Sequence, residues 1–179
     1  PPAPASTGSA AAGPRSFPPC ASVSPAARRF LAESGAAEWE AVDLVVEGLA
    51  LLRRETAQHA APGCAAVVRE LGSRVEDGQV AGVPVLWVSP SCVRGPESVL
   101  YLFGGGFVSG SPAEDLSISA RLAALLGRRV VAPQYRLAPE SPFPAARDDA
   151  MTVYRELSTT SDGGIIIVGE SAGGNLALG

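Results

Sequence analysis

Three short apolar runs, SVLYLF at 98–103, RVVAP at 129–133 and IIIV at 165–168, alternate with stretches of helical pattern. The helical stretches run over 114–126 and 145–157, and another opens at Ala172. Strand followed by helix, repeated, predicts a parallel sheet with helices on its faces, because parallel neighbours can be joined only by a crossover. Gly127 is placed to close the first of these helices, and Pro142 and Pro144 lead into the second. This alternation constrains the fold more than any other feature of the 179 residues.

Upstream of residue 98 the pattern is different. Ser24-Pro25 predicts a short helix, with Ser as the N-cap and Pro in the first turn. Trp39, Val42, Val46 and Leu49 recur at helical spacing opposite Glu40, Asp43 and Glu47, which predicts a longer helix to about Gln58, ending before Pro62-Gly63. Val67–Leu71 and Val83–Val88 read as the two strands of a hairpin, with the polar stretch Glu76–Gln79 between them. Residues 1–21, rich in Pro, Ala, Ser and Gly, are expected to form a disordered lead. The expected organisation is that lead, a helical segment over 22–66 and an α/β domain over 67–179.

Composition excludes several functions. Hydrophobic residues make up 46% of the chain and charged residues 18%, enough apolar material for a packed core. The net charge is −4, and all 14 basic residues are Arg without a cluster. Nucleic acid is therefore not an expected partner. There is no apolar run long enough to span a membrane. The N-terminus lacks a basic region followed by an apolar core, so a cytoplasmic location is the default expectation. Cys20, Cys64 and Cys92 are odd in number and widely spaced, the pattern of neither a disulfide framework nor a zinc site. No metal or cofactor is expected.

The last apolar run leads directly into GESAGG at 169–174. A strand turning this sharply into a helix forces its central residue into a strained backbone conformation and lifts the side chain clear of the sheet. Side chains two positions to either side would collide, and Gly169 and Gly173 remove them. The arrangement suits a nucleophilic Ser171, with the amide of Ala172 aimed at developing negative charge. Competing motifs fail on spacing. A phosphate loop needs Lys and then Ser or Thr after the second glycine, but Asn175 and Leu176 follow Gly174. A dinucleotide fingerprint begins at Gly104 and Gly106, but Ser109 stands where its last glycine belongs. The triplet Gly104-Gly105-Gly106, directly after a predicted strand, leaves bare amides that a ligand can approach closely.

Phe103–Gly106 (FGGG), Tyr135–Glu140 (YRLAPE), Phe143–Ala145 (FPA) and Gly169–Gly173 (GESAG), in that order and spacing, resemble the hormone-sensitive-lipase-like family of α/β-hydrolases. The resemblance covers roughly 80–179 and, less closely, the helices of 24–60. It implies an α/β-hydrolase fold, mostly parallel in its sheet, with the N-terminal helices as part of a cap. It also implies a serine carboxylesterase acting on short-to-medium acyl esters, with a small apolar ester as partner. Ser171 becomes the nucleophile, and the amides of Gly105, Gly106 and Ala172 the oxyanion hole. Tyr135–Glu140 becomes a structural loop in which Arg136 and Glu140 are expected to pair.

Two positions depart from the family pattern. Phe103 replaces a histidine that helps to hold the glycine loop, so restoring it is expected to tighten the loop. The family's acid and histidine follow the serine, whereas the sequence ends eight residues beyond Ser171 and its one histidine, His59, precedes it. The chain is therefore expected to be an N-terminal fragment, C-terminally incomplete and inactive alone. The alternatives are a non-catalytic small-molecule-binding homologue and an inactive truncated product.

Overall fold

The computed structural model describes residues 24–33 and 46–179. The chain divides into two units, residues 1–42 and 43–179. The first contains α1 (Pro25–Glu33). As expected, Ser24 starts it: its Oγ accepts the Ala27 amide at 3.2 Å and its carbonyl accepts that of Arg28 at 2.9 Å, satisfying donors that a first turn leaves open. The lead over 1–21, Trp39 and Val42 lie outside the described residues.

The second unit comprises α2 (Val46–Glu70), β1 (Arg74–Val80), β2 (Val83–Ser89), β3 (Ser98–Leu102), α3 (Leu116–Leu126), β4 (Arg129–Pro133), α4 (Ala145–Thr160), β5 (Ile165–Gly169) and α5 (Ala172–Leu178). One sheet of order β1-β2-β4-β3-β5 joins all five strands. It is mixed. β3 runs parallel to both β4 and β5, whereas β1 and β2, and β2 and β4, are antiparallel. From β3 the chain steps to β4 on one side and then crosses to β5 on the other. With right-handed crossovers this reversal puts α3 and α4 on opposite faces of the sheet. The helix after β3 ends as predicted: Gly127 takes φ 64° and donates its amide to the Ala123 carbonyl.

The N-terminal half of this unit departs from the sequence expectation. α2 does not stop before Pro62-Gly63. It passes through Pro62 to Glu70, and Val67–Leu71 is helix and helix end rather than strand. Cys64, Val67, Val68 and Leu71 fall at helical spacing, and all four are buried or packed on the core. Burial of that stripe outweighs both the hydrogen bond lost at Pro62 and the β-branched preference of the two valines. The true first strand is β1, which contains the stretch Glu76–Gln79 expected to be a loop. The hairpin turns at Ala81-Gly82, with φ 47° and 84° and Val80 opposite Val83. Two central residues at positive φ match the twist of the flanking strands.

The core is built on β3 and β4. Val99, Leu100, Tyr101, Leu102, Val130 and Val131 are essentially inaccessible to solvent. β5 is the outer strand on the other side of β3, and Ile166 and Ile167 are each 40% exposed there. No helix among the described residues is long and apolar enough to cross a membrane.

Candidate active site

β3 and β5 are neighbours in parallel register, with Leu102 opposite Gly169. Their C-terminal ends therefore lie side by side, and two loops emerge together: the glycine loop after Leu102 and the turn at Glu170-Ser171. Crevices at strand C-termini where the strand order reverses are the usual ligand sites of open α/β sheets.

The turn is strained where the sequence predicts it. Ser171 sits at φ 48°, ψ −113°, a region that non-glycine residues enter only when their surroundings force them. Several contacts force it. The Glu170 amide donates to the Leu102 carbonyl at 3.1 Å, tying the turn to the end of β3. A Cβ at Gly169 would run into the Gly173 backbone, and one at Gly173 into the carbonyls of Leu102 and Phe103. The two glycines thus let α5 fold back hard against the strand ends. Ser171 is exposed, while Ala172 and Gly173 behind it are buried.

The glycine loop is a compact turn, with φ 117° at Gly105, 63° at Gly106 and 64° at Phe107. The Gly105 carbonyl accepts the amides of Val108 (3.1 Å) and Ser109 (2.9 Å) and the Ser109 hydroxyl (3.0 Å). A trans peptide points its N–H opposite its C=O, so three donors on the Gly105 oxygen fix the outward aim of the Gly106 amide. Among the described residues, the amides of Gly105, Gly106 and Ala172 have no backbone carbonyl partner in these turns.

Beneath the loop lies an aromatic and carboxylate layer. Phe103 is fully buried, and its ring stacks on that of Tyr135 at 3.9 Å with 2° between the planes. The Tyr135 hydroxyl donates to the Phe103 carbonyl. The slot that the resemblance assigns to histidine is thus an apolar stack in this chain, and Phe103 is part of the packing that supports the loop. Tyr101 donates to Asp115 at 2.8 Å. Burial pushes both phenols well above the ordinary tyrosine range, so both stay protonated as donors. Burial also raises the Asp115 carboxyl, held back by its bonds from the Tyr101 hydroxyl and the Gly104 amide. The Glu170 carboxylate lies directly over Gly104, where a side chain would collide with it.

The Tyr135–Glu140 loop does not contain the ion pair expected within it. Arg136 instead grips Asp149 of α4 through Nε (2.9 Å to Oδ2) and Nη2 (2.8 Å to Oδ1). Asp149 also accepts the Arg136 amide at 2.9 Å. Glu140 pairs with Arg53 of α2, Nη1 to Oε1 at 2.8 Å. Neither partner is near in sequence, and sequence reasoning had no signal for Arg53. His59 is exposed on α2. Cys64 is a buried free thiol facing the Glu114 carbonyl, and Cys92 is free and exposed. An apolar cavity of about 310 Å³ opens between Phe107, Phe143, Pro144 and Leu176. Asn175, one helical turn beyond Ser171, also lines it, but Ser171 does not.

Residues 99–179 match the profile of a family described as alpha/beta hydrolase fold. A versiconal hemiacetal acetate esterase of Emericella nidulans is 40% identical over 110 residues, 61% of this chain and 38% of that protein. An acetyl-hydrolase of Streptomyces hygroscopicus is 42% identical over 94 residues, 51% of this chain and 31% of its own length. Among solved structures, an esterase superposes with a TM-score of 0.80 at 25% identity over 95% of this chain and 54% of the other. A hormone-sensitive lipase from a metagenome library superposes at 0.57 with 34% identity, covering 73% and 48%. The chain spans about a third of the length of these two curated relatives and about half of these solved structures.

Proposed function

Because the chain belongs to the hormone-sensitive-lipase-like α/β-hydrolases, we propose that its protein is a serine carboxylesterase with Ser171 as nucleophile. The observation that carries this reading is the strained, exposed Ser171 at the end of β5, beside the glycine loop at the end of β3. The serine oxygen attacks the ester carbonyl and forms the new C–O bond, and its proton passes to a general base. The carbonyl oxygen becomes an oxyanion, which the amides of Gly105, Gly106 and Ala172 receive; each such donor is typically worth about 3 kcal/mol in the barrier. The alcohol departs with the proton, and water then releases the acid from the acyl-serine.

His59 is not assigned as the base. The family order of serine, then acid, then histidine calls for a base beyond residue 179. The names of the relatives, an acetate esterase and acetyl-hydrolases, favour small acyl groups, acetyl first. The reaction uses no cofactor.

The test uses the protein expressed from its full reading frame. It is expected to hydrolyse p-nitrophenyl acetate and butyrate and to take up one organophosphate, located at Ser171 by peptide mass spectrometry. A label on another serine sinks the assignment. A folded protein with no label and no turnover leaves the non-catalytic binding role as the better reading.

A further inference from the structure

The guanidinium of Arg53 joins three parts of the molecule that the proposed reaction does not otherwise connect. From α2, its Nε donates to the Val108 carbonyl at 2.7 Å and its Nη2 to the Ala138 carbonyl at 2.8 Å. Both terminal nitrogens also grip Glu140, at 2.8 and 3.1 Å. The Arg53 side chain is only a quarter exposed, and its hydrogen bonds pull the Glu140 carboxyl below the ordinary glutamate range. A rigid planar fork with several fixed donors suits such a junction in a way that a point-charge ammonium does not.

We infer that Arg53 is a positioning residue for the oxyanion donors: it clamps the exit of the glycine loop to the 138–140 segment. The inference rests on the reading that Gly105 and Gly106 are those donors. The mechanical route runs through short links. The Val108 amide donates to the Gly105 carbonyl, and that carbonyl shares a rigid peptide plane with the Gly106 N–H. Fixing Val108 from its carbonyl side therefore fixes the plane that aims the Gly106 donor. A second strut runs beside it, since the Ala138 amide donates to the Phe107 carbonyl at 2.8 Å, and Arg53 holds Ala138 by its own carbonyl. Glycine at 104–106 gives this backbone little stiffness of its own, so the bonds within the turn hold their aim better when groups outside it brace Phe107 and Val108. Among the described residues, the Arg53 side chain hydrogen-bonds both the loop and the segment braced against it.

The test compares the full-frame protein with Arg53→Ala, Arg53→Lys and Glu140→Gln. Two readouts are taken: amide hydrogen exchange by residue and the rate of phosphonylation at Ser171. Arg53→Ala is expected to speed exchange at residues 105–109 by about 10-fold or more, with β3 and β4 unchanged. It is also expected to slow phosphonylation by about 10-fold, short of the roughly 10²-fold that loss of a whole donor costs. Arg53→Lys, which keeps the charge and loses the fork, follows Arg53→Ala. Glu140→Gln, which leaves the bonds to Val108 and Ala138 in place, stays near the parent. Parent-like exchange at 105–109 in both Arg53 variants overturns the clamp. A loosened loop with unchanged phosphonylation overturns its link to the oxyanion donors. If Arg53→Ala does not fold, Arg53→Lys decides on the same two readouts. A parent that takes no phosphonate refutes the esterase reading instead, and the exchange measurements still decide whether Arg53 holds the loop.

Discussion

The ring of Phe103 lies flat on the ring of Tyr135, centroids 3.9 Å apart, and the Tyr135 hydroxyl donates to the carbonyl of that same Phe103. One residue is thus held through both its side chain and its backbone, immediately before the glycines. Burial of the two rings carries this contact, because a nearly face-to-face pair lacks the extra attraction of offset or edge-on ones. Phe103→His exchanges this contact for an imidazole whose polar atoms enter an apolar slot. It is expected to lower stability by roughly 2 kcal/mol, measured by urea unfolding, without raising the phosphonylation rate at Ser171. A faster rate in the histidine variant would mean that the stack does not support the loop.

Tyr135→Phe keeps the ring and removes one buried hydrogen bond. The expected cost is about 1 kcal/mol, plus the penalty of a Phe103 carbonyl left without that donor. The same unfolding assay, with the Phe103→His variant alongside, separates the stack from the hydroxyl.

Ser171→Gly is expected to abolish labelling and at the same time to stabilise the protein by about 1 kcal/mol, because glycine accepts φ 48° without strain. Ser171→Ala abolishes labelling with no such gain. Equal unfolding midpoints for the two variants would show that the turn stores no strain.

Gly173→Ala drives a methyl into the carbonyls of Leu102 and Phe103, backbone atoms that cannot step aside. A loss of about 3 kcal/mol or more is expected, read as a fall in the thermal midpoint. Gly174→Ala, one residue on, meets nothing closer than 3.4 Å and is expected to cost far less.

Asp149 carries a pH dependence. Its burial alone would raise the carboxyl, but the hydrogen bonds from Arg136 outweigh that and hold it below the ordinary value of 3.8. A carboxylate with a depressed folded pKa stabilises the fold above its unfolded pKa, and the contribution is lost as pH falls through the folded value. Asp149→Asn is therefore expected to cost roughly 1–2 kcal/mol at pH 7, with the difference from the parent shrinking in urea titrations below pH 4. A constant difference across that range would assign the loss to packing instead of charge.

The α/β half of this fold was legible in the sequence because its signals are local. Gly127 ends a helix by its own φ, and apolar runs of strand length alternate with amphipathic helices. The glycines around Ser171 were legible for the same reason, since the clash they avoid lies within a few residues and one strand. The hairpin was misplaced because its turn uses Ala81-Gly82, without the Asn or Asp that marks such turns. Pro62-Gly63 reads as a helix end in isolation, and only the burial of Cys64 and the valines beyond it carries the helix through. The pairing of Glu140 with Arg53 had no local signal at all. It depends on where α2, packed on α3, sits in the folded unit, which is a property of the whole assembly.

The pairing of β5 with β3 also bears on the order of folding. The only strand partner of β5 among the described residues is β3, and the pairing of Ser98 with Ile165 closes a long stretch of chain that includes α3, β4 and α4. Pairings of such high contact order are late events in folding, because the loop entropy is lost before the contact repays it. Until β5 docks, nothing presses Gly173 against the carbonyls of Leu102 and Phe103, and Ser171 is an ordinary serine in a relaxed chain. The strained geometry at Ser171 therefore forms only once β5 has docked on β3, and a partly folded chain carries that serine in a relaxed backbone.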